Sequence, residues 1–85
     1  MDFCSVAGLY ASFCSHLGYL LSAGAGVSIE TDGSGDFSLV FVDTGDYNVF
    51  VSWFQAKIAG NAGDSDACRW VFDPSKRLVS VTWFI

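Results

Sequence analysis

The sequence predicts an α+β fold in which one N-terminal helix packs on a four- to five-stranded antiparallel β-meander. Two observations predict it. Residues 2–23 repeat apolar side chains every three or four positions, as one face of a helix does. The later stretches are rich in β-branched and aromatic residues and are separated by turn sequences, which is typical of strands. The 85 residues are expected to form one domain, 1–85, because a second core could not be built from what is left over.

The predicted helix spans residues 2–23. Its apolar stripe consists of Phe3, Val6, Tyr10, Phe13, Leu17 and Leu20. Gly24 or Gly26 would end the helix. The opposite side carries small uncharged residues such as Ser12 and Ser15, which would let a second surface approach closely. Two interpretations stay open: this side is partly covered, or the helix is only weakly amphipathic.

Five strands are predicted after the helix. Their expected bounds are 27–31, 37–43, 47–54, 68–73 and 78–85. Turns are expected where Asp, Gly and Pro accumulate, which includes an Asp-Thr-Gly-Asp sequence that would join the second and third strands into a central hairpin. The segment between the third and fourth strands loses the alternation and is expected to be a loop, with room for one helical turn around Ala56 to Ala59 that ends at Gly60.

The high apolar content has two explanations: an unusually dense core, or apolar surface that is reserved for another chain. Apolar residues make up 52% of the chain and aromatic residues 16%. One helix covers only part of a five-stranded sheet, so we expect a partner or a second copy to cover the rest. The uncovered face would carry some of Val40, Val42, Phe50, Phe54, Val71 and Phe84.

The charge balance excludes one class of partner and indicates another. Four basic and nine acidic residues give a net charge of −5, and direct nucleic-acid binding is not expected because phosphate contacts need clustered Lys and Arg. In a meander, the first and third loops share one end. That end would collect Glu30, Asp32, Asp36, Asp64 and Asp66. These acids form either a pole that docks on a basic surface or an ordinary set of turn residues.

The sequence contains no constellation that predicts catalysis, a cofactor or a metal. Residues 30–36 resemble the start of a calcium loop, but its closing acid would fall at Phe41 and its flanks are predicted strands. Cys14 and His16 lie two positions apart on the predicted helix and therefore point in different directions, which argues against zinc. With His16 as its only histidine, the chain has few groups for acid–base catalysis. We expect it not to be an enzyme.

The thiols and the N-terminal segment predict a cytoplasmic protein. Three cysteines without framework spacing are typical of a reducing compartment. The Met1-Asp2 start lacks the basic segment of a secretory signal. Ser and Gly dilute the uncharged stretch 3–27, so a membrane span is not expected.

Together these features predict a non-enzymatic protein-interaction module that acts by occupying a basic surface of another protein. The predicted partner-binding residues are Glu30, Asp32, Asp36, Asp64 and Asp66, with Trp53, Phe50 and Phe54 as aromatic anchors. In size, acidity and lack of motifs, the chain resembles the small acidic inhibitors that phages make against host nucleases, anti-CRISPR proteins included. That resemblance implies a viral inhibitor that acts in the host cytoplasm and occupies a basic surface that normally holds nucleic acid.

An alternative function from another class is a homodimeric structural or assembly protein. Its two copies would join through the uncovered sheet face or through the predicted C-terminal edge strand, 78–85.

Overall fold

The computed structural model describes residues 6–60 and 67–84. Within them the chain forms two α-helices, one π-helical segment and four strands, which confirms the α+β prediction. In chain order the elements are α1 (Val6–Ser22), β1 (Val27–Thr31), β2 (Asp36–Phe41), α2 (Thr44–Phe54), the π-helical segment (Gln55–Ala59), β3 (Cys68–Asp73) and β4 (Leu78–Trp83). Residues 2–5 of the predicted helix lie outside the described residues.

The strands form one antiparallel sheet in the order β1-β2-β4-β3. The predicted meander is therefore wrong, because β2 pairs with β4 and not with the strand that follows it. The chain leaves the sheet after β2, passes through α2 and returns as β3 at the far edge, so that β4 fills the space between. The bounds of β1 and β3 are as predicted, whereas β2 and β4 end two residues earlier than expected, although residue 85 lies outside the described residues.

The predicted strand 47–54 is wrong, because these residues belong to α2. Tyr47, Phe50 and Phe54 are buried and follow each other at steps of three and four, which is the spacing of one helix face. Asp43 precedes the helix as its N-cap: its Oδ1 accepts hydrogen bonds from the backbone N–H of Gly45 at 2.7 Å and from that of Asp46 at 3.2 Å. The Asp-Thr-Gly-Asp sequence therefore starts a helix and is not a hairpin turn. The helix continues in π form over Gln55–Ala59 and is capped by Gly60, where the predicted loop was expected to be able to hold a helical turn.

Both helices pack on the same face of the sheet, and the hydrophobic core lies between the helices and that face. The buried residues described in α1 are Leu9, Phe13, Leu17 and Leu20, and the last three belong to the predicted stripe. The Phe13 ring lies edge-on to Phe37 of β2, with ring centroids 5.2 Å apart, and edge-on to Phe54 of α2 at 6.1 Å. On the sheet, Phe37 is one of seven buried residues: Phe37, Leu39, Phe41, Cys68, Val79, Val81 and Trp83. A second helix thus covers the area that one helix could not.

The opposite face, which we call the outer sheet face, is not covered by any described element. It consists of Ser28, Glu30, Asp36, Ser38, Val40, Arg69, Val71, Asp73, Leu78, Ser80 and Thr82. The prediction that Val40 and Val71 are exposed is confirmed, at 42% and 60% exposure, and Phe84 beyond the end of β4 is 49% exposed. Phe50 and Phe54 are corrected: both are 0% exposed, because α2 turns them into the core.

Candidate functional site

Three of the predicted acidic residues meet at the turn between β1 and β2. Glu30, Asp32 and Asp36 line one shallow depression of about 250 Å³, together with Thr31 and Ser38. The register of the two strands causes this, since it places Glu30 opposite Ser38 and so beside Asp36 on the outer sheet face. We call Glu30, Asp32 and Asp36 the acidic hairpin end. Asp64 and Asp66, which were predicted to join them, lie outside the described residues.

Asp32 shapes the turn and also contributes charge to it. Its Oδ1 accepts hydrogen bonds from the backbone N–H of Ser34 at 2.9 Å and from the Ser34 hydroxyl at 2.8 Å. The bonds from Ser34 lower the pKa of the Asp32 carboxyl, because they stabilise its ionised form. Gly33 and Gly35 complete the turn with φ angles of 81° and 106°. The turn-forming interpretation is therefore correct for Asp32, and it is compatible with a charged surface.

Asp36 is fixed by the neighbouring strand. Its Oδ1 accepts a hydrogen bond of 2.7 Å from the Thr82 hydroxyl, and Thr82 is its partner in the register of β2 and β4. Two of the three carboxylates are thus held in place by hydrogen bonds within the chain, so a partner would meet charges whose positions are already restricted.

The other end of the sheet carries mixed charge. Asp43 caps α2, and Asp73 Oδ1 accepts a hydrogen bond of 2.7 Å from the Ser75 hydroxyl, which lowers the pKa of Asp73. Lys76 and Arg77 follow in the same turn, and Arg77 Nε donates to the Phe41 carbonyl at 2.8 Å. The residues described at this end therefore combine acids with two cations, whereas the lining of the depression at the acidic hairpin end contains only acids among its ionisable groups.

Of the three predicted aromatic anchors, Trp53 alone reaches the surface. It is half-buried and stacks on His16 of α1, with ring centroids 3.8 Å apart and planes 7° from parallel. The two rings form one wall of an open groove of about 580 Å³ between α1 and α2. The rest of the groove is lined by Leu9, Ala11, Ser12, Ser15 and Lys57. The small residues on the polar side of α1 thus border a groove and are not packed under another described element.

His16 behaves as a packed aromatic ring. Burial lowers its pKa below the usual 6.5, because desolvation disfavours the charged imidazolium. Its Nε2 atom is buried, without a hydrogen-bond partner among the described residues. The apolar and polar pattern did not indicate the stack with Trp53, since that contact exists only when residues 44–54 are helical. The signal that could have revealed it was the Asp43 cap.

No family model, curated protein or solved structure matches this chain. Within residues 6–60 and 67–84, no three His, Cys, Asp or Glu side chains are grouped so that they could hold a metal ion. No helix in the same residues is long and apolar enough to cross a membrane. The features that can be argued for function are therefore the acidic hairpin end, the outer sheet face and the open edges of the sheet.

Proposed function

We propose that this chain is a non-enzymatic interaction module that binds a basic surface of another protein through its acidic hairpin end. The partner surface would be one that normally holds nucleic acid, so that occupying it inhibits the partner. The observation that supports this proposal is the grouping of Glu30, Asp32 and Asp36 around one depression whose described lining contains no Lys or Arg.

Two physical effects favour binding: electrostatic steering of the partner and restricted motion of the carboxylates that it meets. Clustered charge of one sign attracts a complementary surface and raises the association rate, which ranges from about 10⁵ M⁻¹s⁻¹ without steering to about 10⁹ M⁻¹s⁻¹ with it at low salt. The hydrogen bonds that Asp32 and Asp36 accept limit their freedom before binding, so less entropy is lost when a partner arrives.

The same face of the sheet supplies apolar contact area. Glu30 and Asp36 lie on the outer sheet face, where exposed Val40 and Val71 follow along the strands. This arrangement replaces the anchors Phe50 and Phe54, which are in the core. A partner that covers this face would bury apolar surface beside the charged pairs, as stable interfaces do.

The proposal places the chain in the cytoplasm, and in the host cytoplasm if it is viral. Its profile of size and charge is that of small acidic phage inhibitors, and the proposal takes from them the class of target, a nucleic-acid-binding enzyme.

The test compares two double variants of equal net charge. E30Q/D36N removes two charges from the acidic hairpin end, while the new side-chain amide oxygen at position 36 can still accept the Thr82 hydroxyl. D43N/D46N removes the same charge at the other end, and asparagine is as good a helix cap as the aspartate it replaces at position 43. Tagged wild-type and variant chains are used as bait in nuclease-treated host lysate at low and high salt, and the recovered partner is then purified for binding and competition assays.

We expect the wild type and D43N/D46N to retain a nucleic-acid-binding protein that high salt or added nucleic acid releases. E30Q/D36N should bind the purified partner about 2- to 30-fold more weakly, as expected from two exposed charge pairs. Equal affinity of E30Q/D36N and wild type at physiological salt, or a partner that binds the chain and nucleic acid simultaneously, would refute the proposal.

A further inference from the structure

Within residues 6–60 and 67–84, the β3 strand is an open edge of the sheet: β4 is the strand paired with it, and β3 is last in the sheet order. The strand has the sequence Cys-Arg-Trp-Val-Phe-Asp, with no Lys, no Pro and no described bulge. Charged side chains usually keep exposed edges apart, but the two in β3, Arg69 and Asp73, have opposite signs and can attract each other between two copies. The homodimer alternative assigned the edge to residues 78–85, but β4 lies inside the sheet, so the edge in question is β3.

The hydrogen bonds to β4 show which backbone groups of β3 point outward. The N–H of Phe84 donates to the carbonyl of Ala67 at 2.9 Å, which makes Ala67 and Phe84 a hydrogen-bonded pair. Because such pairs alternate along an antiparallel ladder, Arg69 and Val71 also direct their N–H and C=O groups at β4. The groups of Trp70 and Phe72 therefore point away from the sheet and can accept a further strand.

We propose that a second copy of this chain pairs with this edge, β3 against β3 in antiparallel orientation, around a two-fold axis through Val71. In this register Trp70 of one copy exchanges both backbone hydrogen bonds with Phe72 of the other, and the reverse pair does the same. Arg69 of each copy stands opposite Asp73 of the other on the outer sheet face. The result is one continuous eight-stranded sheet with all four α-helices on one side.

Charge complementarity selects this register. Arg69 and Asp73 lie two residues on either side of Val71, so a two-fold axis there pairs opposite charges twice. These are non-hydrogen-bonded pairs, in which side chains approach each other most closely. The rings of Trp70 and Phe72 lie on the helix side of the sheet and are half-buried. Each packs on Phe54 with ring centroids 5.8 Å apart. In the dimer, Trp70 of one copy would also contact Phe72 of the other across the axis.

The other edge of the sheet, β1, does not offer such a pairing of opposite charges. The β1 strand reads Val-Ser-Ile-Glu-Thr, and self-pairing there would face Glu30 with Ser28 or with its own copy. It would also bring the Glu30 side chains of the two copies close together, which is unfavourable at close range. Pairing through β3 instead leaves both acidic hairpin ends at the outer edges of the assembly.

The first test compares the oligomeric state of the wild type with that of three variants. Light scattering after size exclusion should give the wild type twice the mass of the 9.1-kDa chain. Val71→Lys places two like charges at the axis and should yield monomer, whereas Val40→Lys, on the same face two strands away, should remain dimeric. Arg69→Glu replaces two attractive pairs with repulsive ones and should raise the dissociation constant by about 2- to 30-fold or more. Circular dichroism checks that each variant is folded.

The second test is a cross-link at the axis. Cα atoms of a non-hydrogen-bonded pair lie about 4.5 Å apart, within the range of about 4.4–6.8 Å that a disulfide spans. In a Cys4→Ser/Cys14→Ser background, Val71→Cys should form a disulfide-linked dimer on mild oxidation, and Val40→Cys should not.

Several results would overturn the proposal. They are a wild type that stays monomeric at its highest soluble concentration, a dimer that survives Val71→Lys, equal loss of dimer in Val71→Lys and Val40→Lys, and equal cross-linking of the two cysteine variants. The proposal does not rest on the docking function: its variants leave Glu30 and Asp36 intact, and E30Q/D36N should leave the dimer intact.

Discussion

Gly35 should be the most restrictive position of the turn that forms the acidic hairpin end. Its φ is +106°, and a Cβ added to it would lie 2.6 Å from the carbonyl oxygen of Trp83. The Gly35 carbonyl also accepts the N–H of Trp83 at 2.8 Å, so the two backbones cannot separate without losing a bond. A positive φ costs about 1–2 kcal/mol for a residue with a side chain, and a forced contact in a packed site adds about 1–3 kcal/mol. Gly35→Ala should therefore lower the free energy of unfolding by about 2–5 kcal/mol.

Gly33→Ala is the matched control for Gly35→Ala. Gly33 also has a positive φ, +81°, but no atom lies within 4 Å of its added Cβ. Both substitutions reduce the entropy of the unfolded chain equally, so the difference between them isolates the contact with Trp83. Urea unfolding followed by tryptophan fluorescence should show Gly35→Ala less stable than Gly33→Ala by about 1–3 kcal/mol. Equal stabilities would refute the close approach of the turn to β4.

Two further predictions test α2 and its contact with α1. Phe50→Ala should lower the free energy of unfolding by about 3–5 kcal/mol, because Phe50 is fully buried. Val49→Ala, at a site that is 66% exposed, should change it by about 0.5 kcal/mol or less. Similar losses of stability for the two variants in denaturant titrations would contradict the helical assignment of α2. Since burial lowers the pKa of His16 in the folded chain, the unfolded chain binds the proton more readily, so stability should fall as the pH drops through about 6.5 toward the folded pKa. His16→Gln should flatten this fall between about pH 7 and about pH 5, and an unchanged slope in unfolding titrations across that range would rule His16 out as its cause.

The elements with one dominant period were predictable from the sequence. The stripe of α1 repeats at steps of three and four without a competing alternation, and its described members Phe13 and Leu17 are buried as expected. Bounds of β1 and β3 were predicted because turn residues adjoin both strands. Glu30, Asp32 and Asp36 were grouped correctly since a tight turn brings neighbouring residues together whatever the rest of the topology.

Residues 47–54 fit both the two-residue period of a strand and the three-to-four-residue spacing of a helix face, and the strand prediction was wrong. Val49 and Val51 alternate with polar or aromatic neighbours as in a strand, and β-branched residues favour that state. Tyr47, Phe50 and Phe54 fit a helix face equally well, and packing decided between the two. The local clue was Asp43, a cap residue followed three positions later by another acid, Asp46, which favours a helix start.

The sheet order could not be predicted from local patterns. Placing β4 between β2 and β3 depends on a helical crossover after β2, and that helix had been interpreted as a strand. One error therefore moved the sheet edge from β3 to β4 and placed Phe50 and Phe54 on the surface. Phe50 and Phe54 were predicted wrongly as anchors for this reason, while the grouping of Glu30, Asp32 and Asp36, which depends on a local turn, was not affected.

The corrected order also separates the two proposed binding surfaces. Pairing through β3 gives the order β1-β2-β4-β3-β3-β4-β2-β1, in which the two β1 strands are seven spacings of about 4.8 Å apart, or about 34 Å along a flat sheet. Sheet twist makes the two acidic hairpin ends face different directions, so each can meet its own partner surface. A dimer of this kind would bind a target with two basic sites more tightly than one copy could, without any new contact. Val71 lies at the axis and also supplies apolar contact area on the outer sheet face. Val71→Lys should therefore remove this gain together with that contact, whereas E30Q/D36N should weaken every encounter and leave the dimer intact.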